Sequence, residues 1–336
     1  MITFAVALHG ALGLGGNVCW SPFAVARALH RLAADARGLT RDELVTALLG
    51  DKAADLAELG AVLTRAAELP DLAVSDTLWA DPSVSTRARP APFLTAPGTA
   101  RDLINAEVAA TTRGLVPELI DVLPADAVSA LVVAIYLRCG WVEEFDPAET
   151  RPRRFRTPDG KKQVPTMRLV SAELGYAATE AWQVVALPAH GGVRAVVLLP
   201  YGDLARFEPE LTAGTLADLL AAPRLRHVDL RLPSFAVRTR TELTGALERL
   251  GVRTAFTTDA ELGAGLALDT VPHESVLTVD ERGIEGAAAV AAIAWMSGTA
   301  EPPVEVAVDR PFLFAVVHEG TGVPYFLARI TDPVTS

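Results

Sequence analysis

The chain has 336 residues, half of them hydrophobic and 21% charged, a balance that builds a folded globular protein and excludes intrinsic disorder. With 41 acidic against 30 basic residues the formal charge is −11. That excludes a general nucleic-acid binder or a ligand for anionic membranes, both of which need a basic face.

The N-terminal run Met1–Gly10 is apolar but has no basic lead-in, so no signal peptide is predicted. Mean hydropathy is +0.29, yet every apolar run stops short of the eighteen or so residues that span a bilayer. Gly13-Leu14-Gly15-Gly16-Asn17-Val18 has the look of a phosphate loop. It lacks the third glycine and a preceding strand, and reads as a turn between helices. Ser21-Pro22 opens a helix, serine as cap and proline in the first turn. A second helix is predicted from a capping box at Thr40-Arg41-Asp42-Glu43, ending at Gly50. Further helices are predicted near Asp102–Thr112, Ala213–Ala222 and Glu242–Leu250. Leu131–Leu137 reads as a strand buried on both faces. Val193–Leu199, Val228–Leu232, Val276–Val279, Val304–Val308, Phe312–Val317 and Tyr325–Ile330 read as shorter strands. Helices first and strands later, with no regular alternation and no dividing linker, predict one α+β domain over 1–336.

Little in the chain looks catalytic. GxSxG, HExxH and Walker A patterns are absent. The six histidines are scattered, and the acid pairs Glu143/Glu144 and Glu281/Glu285 have no fixed separation across a cleft, so both read as structural or solvated. Cys19 and Cys139 cannot form a disulfide framework, and no Cys/His cluster suggests a metal. No catalytic residue, cofactor or metal is therefore expected. The lysines are only Lys52, Lys161 and Lys162, a coding bias that suggests a GC-rich microbial genome.

The unusual feature lies near the C-terminus, where Asp280-Glu281-Arg282-Gly283-Ile284-Glu285-Gly286-Ala287-Ala288-Ala289 leads into an alanine-rich tract. Alone, Ala287–Ala294 would be a helix. Between Val276–Val279 and Val304–Val308, both strand-like, it reads equally as an exposed loop able to become a strand.

These residues resemble the hinge of the serpins, a family of serine protease inhibitors. Asp309-Arg310-Pro311-Phe312 and Tyr325-Phe326-Leu327 through Asp332-Pro333 resemble the family's last strands. Asn17 through Pro22, Ile104-Asn105 with Thr112, Trp141 with Phe145-Asp146-Pro147, Val164 through Met167, Leu232 through Phe235 and Leu250 through Phe256 match upstream, in order, over nearly the whole chain. The resemblance implies a serpin fold: one domain, three β-sheets, eight to nine helices and an exposed reactive loop at about 281–303. It also implies a suicide substrate for a serine protease. The cut loop would insert into the main sheet and distort the protease before the acyl-enzyme is hydrolysed.

Placing Glu285 outward puts Ile284, Gly286, Ala288, Val290, Ala292 and Ala294 on one face, with no charge to bury. The implied hinge is Glu281, Gly283, Ile284, Glu285, Gly286, Ala287, Ala288 and Ala289, with Ile284 standing where a small or hydroxyl residue is usual and expected to slow insertion. Counted about seventeen residues from Glu281, the cut falls at Ser297–Gly298, within the window Trp295, Met296, Ser297, Gly298 and Thr299. No Lys or Arg lies between Gly283 and Asp309, so the implied partner is a chymotrypsin-, elastase- or subtilisin-like protease and not a trypsin-like one.

Ser21, Ala24, Val133, Trp141 and His273 match the region where the sheet opens. Ala24 stands for a usual serine and Val133 for a usual asparagine, so an altered polar network is expected there. The short Asp51–Arg101 region is expected to have reduced or lost the helix that binds heparin in some relatives, so heparin binding is not expected. A monomer is expected, while localisation is left open. The alternative reading is a non-inhibitory serpin that carries or binds a partner.

Overall fold

The computed structural model describes residues 1–13, 15–262, 266–285 and 302–333. Among the described residues eight helices and sixteen strands follow one another. The first stretch runs α1 (Ile2–Ala11), β1 (Val18–Trp20), α2 (Pro22–Asp35), α3 (Gly38–Leu49), α4 (Leu56–Ala66), β2 (Leu72–Ala80), β3 (Arg89–Pro90) and α5 (Pro97–Thr111). The middle runs β4 (Ser129–Leu137), β5 (Cys139–Gly140), β6 (Arg151–Thr157), β7 (Gly160–Ala178), β8 (Trp182–Ala189), β9 (Val193–Pro200), α6 (Leu204–Phe207) and α7 (Ala213–Ala221). The remainder runs β10 (Arg224–Pro233), β11 (Phe235–Glu242), α8 (Thr244–Arg249), β12 (Pro272–Val279), β13 (Gly283–Ile284), β14 (Val304–Ala307), β15 (Phe312–His318) and β16 (Pro324–Ile330). The described residues group into two compact units, one of Met1–Leu14, Trp20–Tyr136 and Arg238–Val276, the other of Gly15–Cys19, Leu137–Val237 and Leu277–Ser336.

In the first unit, α2 opens where the sequence placed it. The Ser21 hydroxyl accepts from the Ala24 N–H at 3.0 Å and Pro22 fills the first turn. The capping box at Thr40–Glu43 does not form. Helix α3 starts earlier, at Gly38, and both residues are claimed by neighbours: the Thr40 hydroxyl accepts from the Glu261 N–H, and the Glu43 carboxylate accepts from the Arg253 and Thr254 N–H groups. Distant backbone donors with no other partner outbid the local cap. The region expected to have lost a helix carries α4, which starts with an Asp55 cap and bears a single basic residue, Arg65.

Helix α5 buries Ile104 and Val108 in a cluster with Trp79, Val132 and Ala134, contributing roughly 1.5–3 kcal/mol per large side chain. Asn105 is buried beside them. Its amide oxygen accepts from the Leu119 and Ile120 N–H groups and its NH2 donates to the Ile120 carbonyl, pinning the segment after the helix. The sheet of this unit orders β3–β2–β4–β12. Every residue of β4 is buried, as its unbroken apolar run requires. β4 and β12 pair in parallel, His273 opposite Val133 and Ser275 opposite Ile135. Glu274 of β12 is fully buried, and Arg238 and Arg240 both ion-pair with its carboxylate.

In the second unit the order is β1–β16–β15–β9–β8–β7–β10–β14, with β6 on β7. Three sheets are expected, and among the described residues the strands link into two. The reason is β7, which belongs to two sets at once: it pairs with β6 and β10 over most of its length and with β8 at its end. It bends at Ser171 (φ 52°), where the register with β10 slips and Asp229 accepts the Ser171 N–H at 2.7 Å. Phe235 packs edge-on against Phe312 and Phe314. Asn17 turns its side-chain oxygen to the N–H groups of Thr331 and Asp332, so this turn fastens the end of β16.

Candidate functional site

Two clusters gather the residues singled out in the sequence. In the second unit, β12 ends at Val279 and the chain reverses through Asp280–Arg282. The Asp280 carboxylate accepts from the N–H groups of Arg282 and Gly283, an Asx turn that aspartate favours. The returning strand β13 is two residues long. Ile284 pairs with Val279 on one side, while Gly283 and Ile284 pair with Gly140 and Cys139 of β5 on the other. The first residues of the implied loop are therefore already rungs of a sheet. Ile284 is completely buried. The side chain expected to slow insertion is thus packed away from solvent.

Several bonds fasten this turn. The indole N–H of Trp141 donates to the Asp280 carbonyl at 2.9 Å, and the Trp141 backbone N–H donates to Arg282 at 3.0 Å. The Phe145 N–H donates to the Glu281 carbonyl, and the Thr150 hydroxyl donates to the Glu281 carboxylate at 2.6 Å. At Glu285 the pairing stops. Its N–H still donates to Thr278, but its φ is 60°, a left-handed conformation that costs a non-glycine residue roughly 1–2 kcal/mol. Burial pushes the thiol of Cys139 up to about 12, so the socket's cysteine is an inert apolar group at neutral pH.

In the first unit, His273 is fully buried at the register of Val133. Its Nδ1 lies 2.9 Å from the Val133 carbonyl, which can only accept, so Nδ1 carries the proton. Nε2 then accepts from the Ser21 N–H at 3.2 Å and from the Ser275 hydroxyl at 3.0 Å. The polar network, expected to be altered at Val133 and Ala24, uses backbone groups at both positions. The backbone of Val133 serves as acceptor, and Ala24 uses only its N–H, as donor to the Ser21 cap. Ser275 was not foreseen, although its spacing of two from His273 puts both on one face of a strand.

Burial lowers the His273 imidazole to about 4, against the opposing Val133 hydrogen bond. The unfolded chain titrates near 6.5, so between about 6.5 and 4 the unfolded state holds the extra proton. Stability contributed by neutral His273 is complete above 6.5 and falls as pH drops to about 4, by about 3 kcal/mol in all. Melting temperatures of wild type and His273→Gln, measured from pH 7.5 to 4, are expected to converge as pH falls. A constant gap would refute the assignment.

Gly286, Ala287, Ala288 and Ala289 of the hinge, and the window Trp295, Met296, Ser297, Gly298 and Thr299, lie outside the described residues. The sequence reading gave Cys139 and Gly140 no place in this site. Asp280 and Thr150 belong to the stretches that resemble the family, Asp280 also to the turn spacing Asp-x-x-Gly, but their contacts were not foreseen. Among the described residues no helix is long and apolar enough to cross a membrane, and no group of three His, Cys, Asp or Glu is placed to hold a metal.

The described residues form an α+β fold with a two-residue strand lodged between β12 and β5. The profile described as Serpin (serine protease inhibitor) matches residues 3–333, and the chain belongs to this family. It is 29% identical to the leukocyte elastase inhibitor of Bos taurus, with 95% of this chain and 93% of that protein covered. Its fold matches native tengpin, a thermophilic serpin, with a TM-score of 0.86 at 20% identity over 98% of this chain and 92% of that one. It equally matches thyroxine-binding globulin in complex with thyroxine, with a TM-score of 0.86 at 21% identity over 99% and 98% of the two chains.

Proposed function

We propose that the protein is a single-domain, monomeric suicide inhibitor of a chymotrypsin-, elastase- or subtilisin-like serine protease, with Ser297–Gly298 as its reactive bond. The observation that carries this reading is the pairing of Gly283 and Ile284 with Gly140, Cys139 and Val279. A strand that already holds the first residues of a segment offers the next ones a template. The protease serine attacks the Ser297 carbonyl, the peptide bond breaks, and the new amine leaves with Gly298. The acyl ester then travels with the loop as it extends the sheet. Deacylation stalls because the oxyanion hole and triad lose their geometry. A small residue before the cut suits an elastase- or subtilisin-like pocket, and Trp295 or Met296 would suit a chymotrypsin-like one.

The test is incubation with chymotrypsin, pancreatic elastase and subtilisin, followed by denaturing electrophoresis and sequencing of the released C-terminal fragment. A boiling-resistant complex is expected with at least one enzyme, its fragment starting between Met296 and Ala300. Clean cleavage without complex by all three would favour the second reading, a carrier or binding protein, which draws on the fold it shares with thyroxine-binding globulin. Steady turnover of a small ester by the purified protein would revive an enzyme.

A further inference from the structure

The strand β6 and the start of β7 carry six basic residues in the twelve positions 151–162, namely Arg151, Arg153, Arg154, Arg156, Lys161 and Lys162, with one acid, Asp159. This is an odd concentration in a chain of charge −11. Two of the six meet acids: Arg156 with Asp309 at 3.2 Å, and Lys162 with Asp332. Arg153, Arg154 and Lys161 are exposed and have no acidic partner among the described residues.

The cross-strand register sets Arg156 opposite Lys161, with Arg154 two residues along on the same face. Like charges directly opposite destabilise a strand pair, so the fold gains nothing from the arrangement. Edge protection is the plain alternative, since among the described residues β6 pairs only with β7. Charge on the edge strand would suffice for that, and it does not call for lysines of the same sign on β7.

Where this hairpin is fastened points to its use. At its start, Thr150 donates to the Glu281 carboxylate. At its end, the Arg156 N–H donates to the Asp309 carbonyl at 2.8 Å. The basic strand is thus tied to both stems of the segment 286–301, and the six residue steps from Thr150 to Arg156 reach across about 20 Å.

We propose that this hairpin is an accessory docking surface for an acidic patch on the attacking protease, a reading that deepens the inhibitor function and rests on it. A body seated on the segment between the two stems would meet the exposed guanidinium and ammonium groups.

The test compares subtilisin with subtilisin whose lysines have been succinylated, at equal concentrations of titrated active sites. The quantity read is the total rate of loop attack, complex plus cleaved chain. Each enzyme's rate on wild type is divided by its rate on the triple variant Arg153→Glu, Arg154→Glu, Lys161→Glu. At low ionic strength this quotient is expected to be about tenfold larger for the succinylated enzyme, and the difference is expected to vanish in 0.5 M NaCl. The glutamine triple variant should lose the advantage without reversing it, which separates charge from misfolding. Equal quotients for the two enzymes overturn the proposal. So does binding of heparin or polyphosphate that depends on these three residues while protease attack does not. Charge-dependent attack that ends in cleavage without complex leaves the docking surface standing and removes the trapping function.

Discussion

Cutting the chain between Trp295 and Thr299 is expected to raise its thermal midpoint by more than about 10 °C. Roughly a dozen residues lie between Glu285 and the cut, and each can add a ladder bond worth a net 0.5–1.5 kcal/mol, so insertion gains on the order of 10 kcal/mol. Spread over the unfolding entropy of a chain this long, that gain exceeds about 10 °C. Two local features favour the process. Gly283 and Ile284 already occupy the first rungs, so no nucleation step remains. Glu285 sits at φ 60° and would relax on extending, releasing the roughly 1–2 kcal/mol of its left-handed conformation. The residues that follow Ile284 at a spacing of two are Gly286, Ala288, Val290, Ala292 and Ala294, none of which asks a sheet to bury a charge. Calorimetry before and after limited proteolysis, with the cut mapped by mass spectrometry, measures the effect. A nicked protein that melts no higher than the intact one would mean that the loop never joins the sheet.

Local signals were legible in the sequence wherever one residue type solves a local problem. Ser21-Pro22 capped its helix, Gly50 ended α3 in the left-handed region at φ 80°, and the apolar run of β4 proved buried along its length. Failures occurred where a distant partner decided. Thr40 and Glu43 have the right types and spacing for a cap, yet backbone donors more than two hundred residues away recruit both. The His273 network was expected to be altered at Val133, but the form of the alteration was hidden, because side-chain identity is all that a sequence displays. Its acceptor is the Val133 carbonyl, which every residue at that position would offer. The burial of Ile284 was hidden for the same reason, since it depends on register partners in two other strands, Val279 and Cys139. The basic hairpin was visible as a string of letters, but its tie to Glu281 and Asp309 depends on a contact of Thr150 and on a backbone N–H, neither of which the letters display.

Replacement of Gly283 by valine is expected to turn the protein from an inhibitor into a substrate. A Cβ at this position would stand 2.3 Å from the Cys139 carbonyl oxygen and 2.7 Å from the Gly140 Cα. Both are backbone atoms of β5, so no rotamer change relieves the clash. The backbone there has φ 156°, at the border of what a β-branched residue tolerates. Either β13 leaves its place between Val279 and β5, or the two strands part by several tenths of an ångström, and overpacking of this kind costs roughly 1–3 kcal/mol. If the same interval is the doorway for the cut loop, about 2 kcal/mol on that step slows insertion about thirtyfold, while deacylation of the ester keeps its own pace. The ratio of the two rates decides how many inhibitor molecules each protease consumes. That stoichiometry should therefore rise about tenfold or more in Gly283→Val, with Gly283→Ala smaller in effect and the same in direction. The first attack on the loop lies some fourteen residues downstream and should be unchanged or faster, since a displaced hinge lengthens the free segment. Titration of residual protease activity gives the stoichiometry, and the initial rate of loop cleavage gives the attack. A variant that cleaves and traps as the wild type does would show that β13 is not the route by which the loop enters.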